Sequence, residues 1–514
     1  MASVLEMRGI TKYFSSSNVL AASNVDFSVK AGEVHALVGE NGAGKTTLMN
    51  ILYGLIPQDS GDVFIDGQLV KIKHPDDAIH HGIGMVHQHF KLVPSFTIAE
   101  NIMLGIEPSN LGFINHKQES EAVRKLAFEF GLPVDPNLRI EDVSVGMQQR
   151  VEILKSLQRD AKILILDEPT AVLTPQEVRE LYAVVRRLAQ EGRSVILITH
   201  KLNEVKGVAD RLTVMQRGRV VGRDEVDNVS IEQIANMMVG REVILKVHKD
   251  AAKAGDVVLQ VENLLVAGSS GLPAVVGVDF NVREGEILGV AGVSGNGQTE
   301  LIEAISGMRA IENGRVMFFA DEITSLNIRD RRHAGMAHIP EDRMQTGLNL
   351  TTNIDENVIV TLYIHEEYGR GQMMQFGKIR HLAQTLIKKF NIKSAQVGEE
   401  IKTLSGGNLQ KIVVGRELEG CPKFIIANQP TRGVDVGSIE FIHQTLVDTR
   451  DAGAAILLVS VELDEILALS DRVIVMYEGR IMGVLEADEL NKETLGLLMA
   501  GASLDTIVNE VMTA

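Results

Sequence analysis

Twenty-one residues near the start of the chain, VHALVGENGAGKTTLMNILYG (Val34 to Gly54), recur in altered form as ILGVAGVSGNGQTELIEAISG (Ile287 to Gly307). The match extends well beyond these stretches. Gly292 follows Gly39 by 253 positions, as Gln298 follows Lys45 and Glu341 follows Gln88. Further on, Ser405 follows Ser144, Asn428 follows Asp167 and Gly501 follows Gly240, each by 261. A long internal repeat fixes architecture more firmly than local propensity does, because each copy must fold into the same unit. Copies are expected over residues 1–243 and 256–501, with a linker at 244–255 (ILKVHKDAAKAG) and a tail at 502–514. The change of offset requires eight extra residues between Glu341 and Ser405. The polar stretch HEEYGRGQMMQFG (His365 to Gly377) is the expected place, as one surface loop.

Within each copy, short apolar runs such as KILILDEP and SVILITH alternate with helical stretches such as PQEVRELYAVVRRLAQEG. That alternation is the pattern of an α/β fold with a mainly parallel sheet. The balance of 45% hydrophobic and 23% charged residues fits a folded, well-buried chain. A net charge of −17 disfavours polyanions, so no nucleic-acid partner is expected. The single Cys421 cannot form an internal disulfide, and MASVLEMRGITKYF lacks the layout of a signal peptide, so a cytosolic location is expected. Apolar runs such as AAILLVSV (Ala454 to Val461) are far shorter than the roughly 20 residues that span a bilayer. Work at a membrane would therefore require docking onto a partner.

GENGAGKT, Gly39 to Thr46, fits the phosphate loop G-x-x-x-x-G-K-[ST] between an apolar strand and a helix. Its backbone N–H groups can curl around phosphate oxygens at the helix N-terminus. Gly39, Asn41, Gly42, Gly44, Lys45, Thr46 and Thr47 are the candidate ATP contacts, with Lys45 on the β and γ phosphates and the Thr46 hydroxyl on Mg2+. ILILDEPT ends a buried strand on two carboxylates, which desolvation forbids without a compensating cation or proton. Asp167 suits Mg2+, and Glu168 suits a general base orienting the attacking water. His200, at the end of SVILITH, is placed to contact a γ-phosphate, and Gln88 could bind Mg2+ or water. His87 and His89 flank Gln88 without Cys or carboxylate at ligand spacing, which argues against a metal site there. Tyr13 and Phe14 fit either stacking on adenine or burial in the core.

The phosphate loop, Gln88, VSVGMQQR (Val143 to Arg150), LDEPT and His200 occur in the order of the ABC ATPases, and LSGGNLQ (Leu404 to Gln410) is similar to the family's signature. The resemblance covers nearly the whole chain. It is to the fused double-cassette subunit of importers for monosaccharides and nucleosides, a subgroup that IPEDR (Ile339 to Arg343) also marks. The resemblance implies two tandem P-loop NTPase cassettes, each with a helical signature subdomain. It implies head-to-tail pairing, with Ser405, Gly406, Gly407 and Asp435 completing the site built around Lys45. A second site would combine Gly292, Gly295, Gly297, Gln298 and Thr299 with Ser144 and Gly146.

The departures from the family pattern gather in that second site. Gln298 replaces lysine, Glu341 glutamine, Asn428 and Gln429 the two carboxylates and Val461 histidine, while Val145 interrupts the first half's signature. Thr174 stands where the family often has Asp. Gln429 cannot act as a base, which alone costs about 10²–10⁴ in rate. One hydrolytic site and one degenerate site, weak, merely occupied or only a scaffold, are therefore expected. The resemblance further implies two transmembrane permease subunits, contacted by HFKLVPSFTIAEN and its counterpart NIDEN, and an extracytoplasmic substrate-binding lipoprotein. Peripheral attachment to the cytoplasmic face of the membrane follows from it. GMVHQHFKLVPSFTIAEN with LDEPTAVLTPQE is more similar to nucleoside importers than to ribose or galactose importers, which commonly carry an acidic residue where His89 stands. The rival class, a soluble tandem-cassette ATPase of the translation-factor type, usually carries a basic linker and two hydrolytic sites. An exporter is disfavoured by fused cassettes without spans.

Overall fold

The structure, a computed structural model, describes residues 3–502 apart from 16–17, 88–89, 111–112, 171–172, 174, 243–246, 248, 270, 294, 364, 371–372 and 393–395. The chain divides into two compact units, Met1–Val243 and Ile244–Ala514.

In the first unit a six-stranded sheet runs in the order Arg219–Glu225, Arg211–Gln216, Val34–Gly39, Ser194–Thr199, Ile163–Asp167, Ile83–Val86. All neighbours are parallel except the antiparallel edge strand Arg219–Glu225. Its central strands read as unbroken apolar runs because both faces are covered. A second, wholly antiparallel sheet is formed by Val19–Lys30, Ser3–Phe14, Ser60–Ile65 and Gln68–Val70. The expectation of a mainly parallel sheet is met, and the antiparallel sheet is an addition to it. Its strands carry the alternation of buried and exposed residues of a half-covered face, which continuous runs such as ILILD lack.

The second unit repeats both sheets: Met336–Ile339, Phe424–Asn428, Ala455–Ser460, Ile287–Ala291, Arg472–Tyr477 and Arg480–Glu486, beside an antiparallel set of four. Along Ile287–Ala291 the residues sort by side. Leu288 and Val290 pack with the antiparallel sheet, and Ile287 and Ala291 with the core beneath the helices.

Each unit also has the expected helical region, Ile98–Met103, His116–Glu129 and Val145–Gln158 in the first and Ile354–Ile359, Phe376–Lys389 and Gly406–Glu419 in the second. Thr97 and Glu100 form a capping box on the first of these helices, and Asn353 and Glu356 form one on its counterpart. The buried Asn101 and Asn357 then pin the preceding loops. The Asn101 side chain accepts from the Val93 N–H and donates to the Val93 carbonyl, at 2.8 and 3.1 Å, and Asn357 does the same to Asn349, at 2.8 and 3.0 Å.

The eight extra residues do not form one loop. Ile354 follows Ile98 by 256 positions, the hairpin residue Gly369 follows Ser109 by 260, and Ile401 follows Ile140 by 261. Three are thus added before Ile354, where Arg343–Gly347 forms a single π-helical turn, four before the hairpin and one after Phe376–Lys389. Equal helix lengths in the two units leave only the connections to absorb them. Part of the connecting stretch belongs to the second unit's fold. The Lys249 ammonium donates to the carbonyls of Leu469 (3.1 Å) and Ser470 (2.6 Å), and the buried Arg450 guanidinium donates to the Asp250 carbonyl (3.0 Å).

Candidate nucleotide site

Ligand sites of open parallel sheets lie at the carboxyl ends of the strands. Here Val34–Gly39, Ser194–Thr199 and Ile163–Asp167 are neighbours, with Val38 opposite Thr199 and Ile198 opposite Asp167. Their ends therefore bring the phosphate loop, His200, Asp167 and Glu168 together. Gly44 closes the loop at φ 101°, where a Cβ would lie 2.1 Å from the Ala21 carbonyl oxygen, so only glycine fits. At Gly42, φ 80°, the corresponding space is open. This is the empty side of a backbone cradle, and the helix Lys45–Leu52 points its N-terminus into it.

Lys45 is 5% exposed and its ammonium donates to the carbonyls of Gly39 (2.7 Å) and Glu40 (3.0 Å). Burial lowers its pKa, and the charges of Glu168, Asp167 and Glu40 oppose that fall. Asp167, equally buried, is pushed up to about 6 by burial and by the Glu168 charge, against the pull of Lys45. A carboxylate that resists ionising beside a single ammonium fits a place for a further cation such as Mg2+. The exposed Thr46 supplies a hydroxyl at the first turn of the loop helix. Glu168 accepts a hydrogen bond at 2.8 Å from His200 Nδ1. Burial pushes the Glu168 carboxyl up, but the His200 hydrogen bond and the charges of His200, Lys45 and Lys201 outweigh it and hold the group below its ordinary range. Glu168 is thus ionised and oriented, the condition for a base that positions water. Its backbone is left-handed, φ 48°, a conformation that non-glycine residues adopt at an energetic cost.

Tyr13 is exposed and donates to Asn18 Oδ1 at 2.6 Å, and Phe14 is half-buried. Both lie outside the buried core, at the end of Ser3–Phe14. Gln88, His89 and Thr174 lie outside the described residues.

The second unit keeps the backbone of this site and neutralises it. Gly295 and Gly297 adopt φ 93° and 91°, and a Cβ on Gly297 would meet the Ala274 carbonyl oxygen at 2.2 Å. Gln298 occupies the lysine's socket, 6% exposed, with its Nε2 buried and without a hydrogen-bond partner, and Thr299 follows it. Asn428 and Gln429 are buried at the strand end, and Gln429 keeps the left-handed φ, 47°. Glu341 accepts from Gln429 Nε2 at 3.2 Å and pairs with Arg432.

The two signature segments differ as well. Ser144 accepts from the Met147 N–H at 3.3 Å and so caps its own helix beside an exposed Val145. Ser405 is exposed and its hydroxyl makes no such cap. A Cβ on Gly146 would strike Glu177, and one on Gly407 would strike Asp435. The Asp435 carboxylate caps the helix Val436–Asp451 through the Ser438 N–H, 2.8 Å. Sequence reasoning missed Gln149 and Gln410, whose side chains donate to the carbonyls of Pro169 (2.7 Å) and Pro430 (2.8 Å). Each ties a signature helix to the residue after the strand-end pair. Their matched place in the two motifs, 261 apart, was the available signal.

An ATP-binding cassette built twice, once with its charged groups and once without, is what fold and site define. The ABC transporter family model matches residues 22–171 and 275–432, and the chain belongs to that family. Its class, the ATP-binding subunits of importers, comprises ATPases that drive transport. Over 98% of its length the chain is 44% identical to the nucleoside import ATP-binding protein NupA of Lactococcus lactis, of which it covers 99%. It is 45% identical to the guanosine import ATP-binding protein NupO of Bacillus subtilis, covering 98% of each. The ribose import ATP-binding protein RbsA of Geobacillus kaustophilus is 39% identical, over 96% of this chain and 98% of that one. Among solved structures, the archaeal ribosome recycling factor aABCE1, in complex with the stalk protein aP1, gives a TM-score of 0.60 at 18% identity, covering 93% of this chain and 90% of that one. That likeness concerns the fold alone.

Proposed function

We propose that the chain energises the import of nucleosides, purine nucleosides such as guanosine among them, by hydrolysing ATP at the Lys45 loop. The observation that carries the substrate class is the likeness to NupA and NupO, which extends over nearly the full length of each. In this reading Lys45 and the loop N–H groups hold the phosphates, Glu168 orients water and His200 contacts the γ-phosphate. Thr46, Asp167 and Gln88 would hold Mg2+, which would supply neutralisation of phosphate charge. Ser405, Gly406, Gly407 and Asp435 serve the same nucleotide, and Gln298 with its loop, Ser144 and Gly146 form a site that does not hydrolyse. No helix among the described residues is long and apolar enough to cross a membrane. Two permease subunits and an extracytoplasmic substrate-binding lipoprotein then complete the importer, with this chain peripheral on the cytoplasmic face.

Uptake of labelled guanosine and labelled ribose, side by side, in cells with the chain, without it and with Glu168→Gln tests this reading. Guanosine uptake is expected to need the chain and to fail in the variant, whose ATP hydrolysis falls by about 10²–10⁴. Loss of ribose uptake instead would support the second reading, a monosaccharide importer, which rests on the likeness to RbsA. Sedimentation with ribosomes rather than membranes would move the protein to the translation-factor class.

A further inference from the structure

IPEDR has no role in the function proposed above, yet its side chains hold a segment 88 to 90 positions further along the second unit. The Arg343 guanidinium donates from one nitrogen to the Arg432 carbonyl (2.7 Å) and from another to the Gly433 carbonyl (3.1 Å). The second of these nitrogens also lies 2.8 Å from where a Cβ on Gly406 would stand, so Arg343 rests directly on the first residue of the signature helix Gly406–Glu419. Glu341 of the same motif holds the Gln429 side chain and pairs with Arg432. Arg343 itself opens the π-helical turn Arg343–Gly347, which Asp342 caps through the Met344 and Gln345 N–H groups at 2.8 and 3.0 Å. This turn lies where the second unit gains its first three residues over the first. Single π turns are frequent at functional sites.

The placement runs against simple electrostatics. A cation beside a helix N-terminus meets the positive end of the helix dipole, and Arg343 Nε is buried there without a partner. Two carbonyl acceptors in a planar fork offset that cost, as only a guanidinium can arrange. We propose that Arg343 is a positioning residue for ATP hydrolysis: it locks the signature residues Ser405–Gly407 and the segment Gln429–Gly433 into one rigid arrangement. The proposal rests on the assignment of the signature to hydrolysis. A group that aligns donors for the reacting γ-phosphate, while the Lys45 loop supplies most nucleotide binding, acts on kcat rather than on KM.

The test is steady-state ATP hydrolysis by the full importer complex carrying Arg343→Ala, Arg343→Lys, Glu168→Gln or, as a surface control, Arg329→Ala. Arg343→Ala is expected to lower kcat about tenfold with KM for ATP within about twofold of the parent and melting temperature unchanged. Arg343→Lys, which keeps the charge but cannot span both carbonyls, is expected to remain several-fold below the parent. It decides the matter if the alanine variant fails to fold. A kcat within twofold of the parent in both variants overturns the proposal, as does a loss of kcat matched by a rise in KM and a lowered melting temperature. Normal hydrolysis in Glu168→Gln would instead overturn the function on which the proposal rests.

Discussion

Lys45, Asp167 and Glu168 are a charge trio whose members need one another. Burial penalises the ammonium and both carboxyls; the attraction of Lys45 for each carboxylate partly offsets that penalty, His200 adds to it for Glu168, and the repulsion between the two carboxylates works against it. Removing the lysine alone would take from the buried Asp167 the cation that favours its charged form, while Glu168 would keep His200. The second unit replaces all three by uncharged Gln298, Asn428 and Gln429, and the carboxylate beside them, Glu341, is paired with Arg432. Returning a lysine to that socket should therefore harm the protein. Gln298→Lys is expected to lower stability in urea melts by about 1–3 kcal/mol, and adding Asn428→Asp should recover about 1 kcal/mol of it. Strict additivity of the two changes would contradict this coupling. At this scale the sequence was informative wherever chemistry depends on residue type, since a missing ammonium at position 298 is visible in a string of letters. For Gln149 and Gln410 it offered only their matched places in the two motifs, because an amide that reaches a carbonyl 20 residues along the chain leaves no periodic trace. It was silent on Arg343, whose acceptors are backbone atoms of residues that carry no complementary charge.

Strands and helices came through the sequence more clearly than the segments that join them. SVILIT and AILLVS announce buried strands by composition, whereas the capping boxes at Thr97 and Asn353, which mark helix starts, went unread. The eight added residues were misplaced because a change of offset counts residues without saying where they go, and a Gly-rich polar stretch attracts the assignment. One element has a measurable acid sensitivity. On the strand Met336–Ile339, burial lowers the His338 pKa to about 4, the Glu417 charge opposes that shift and the Arg332 charge adds to it. The unfolded chain takes up a proton near the ordinary value of 6.5, so between pH 6.5 and about 4 it binds more protons than the folded one. This group's contribution is fully present above that window and is lost as the pH falls through it. His338→Leu is expected to flatten the decline in melting temperature between pH 6.5 and 4, and an unchanged slope would show that His338 titrates alike in both states.

Across the whole molecule the repeat yields two copies of one architecture carrying different chemistry. In Glu168→Gln incubated with MgATP, two nucleotides retained per chain are expected, one at each loop. One would mean that the Gln298 loop is a scaffold alone. Division of the chain into two halves was legible from the offsets; the anchoring of the stretch that joins them was not, because it depends on Lys249 and on the backbone of Asp250 meeting groups some 200 positions later. Those bonds bear on anyone who wishes to express the halves from separate genes. A cut at the end of the polar stretch would deprive the buried Arg450 of the Asp250 carbonyl and the carbonyls of Leu469 and Ser470 of the Lys249 ammonium. The second gene should therefore open ahead of Val247, whose side chain packs on that half's core, so that the stretch travels with its own half as a sewn-in hem.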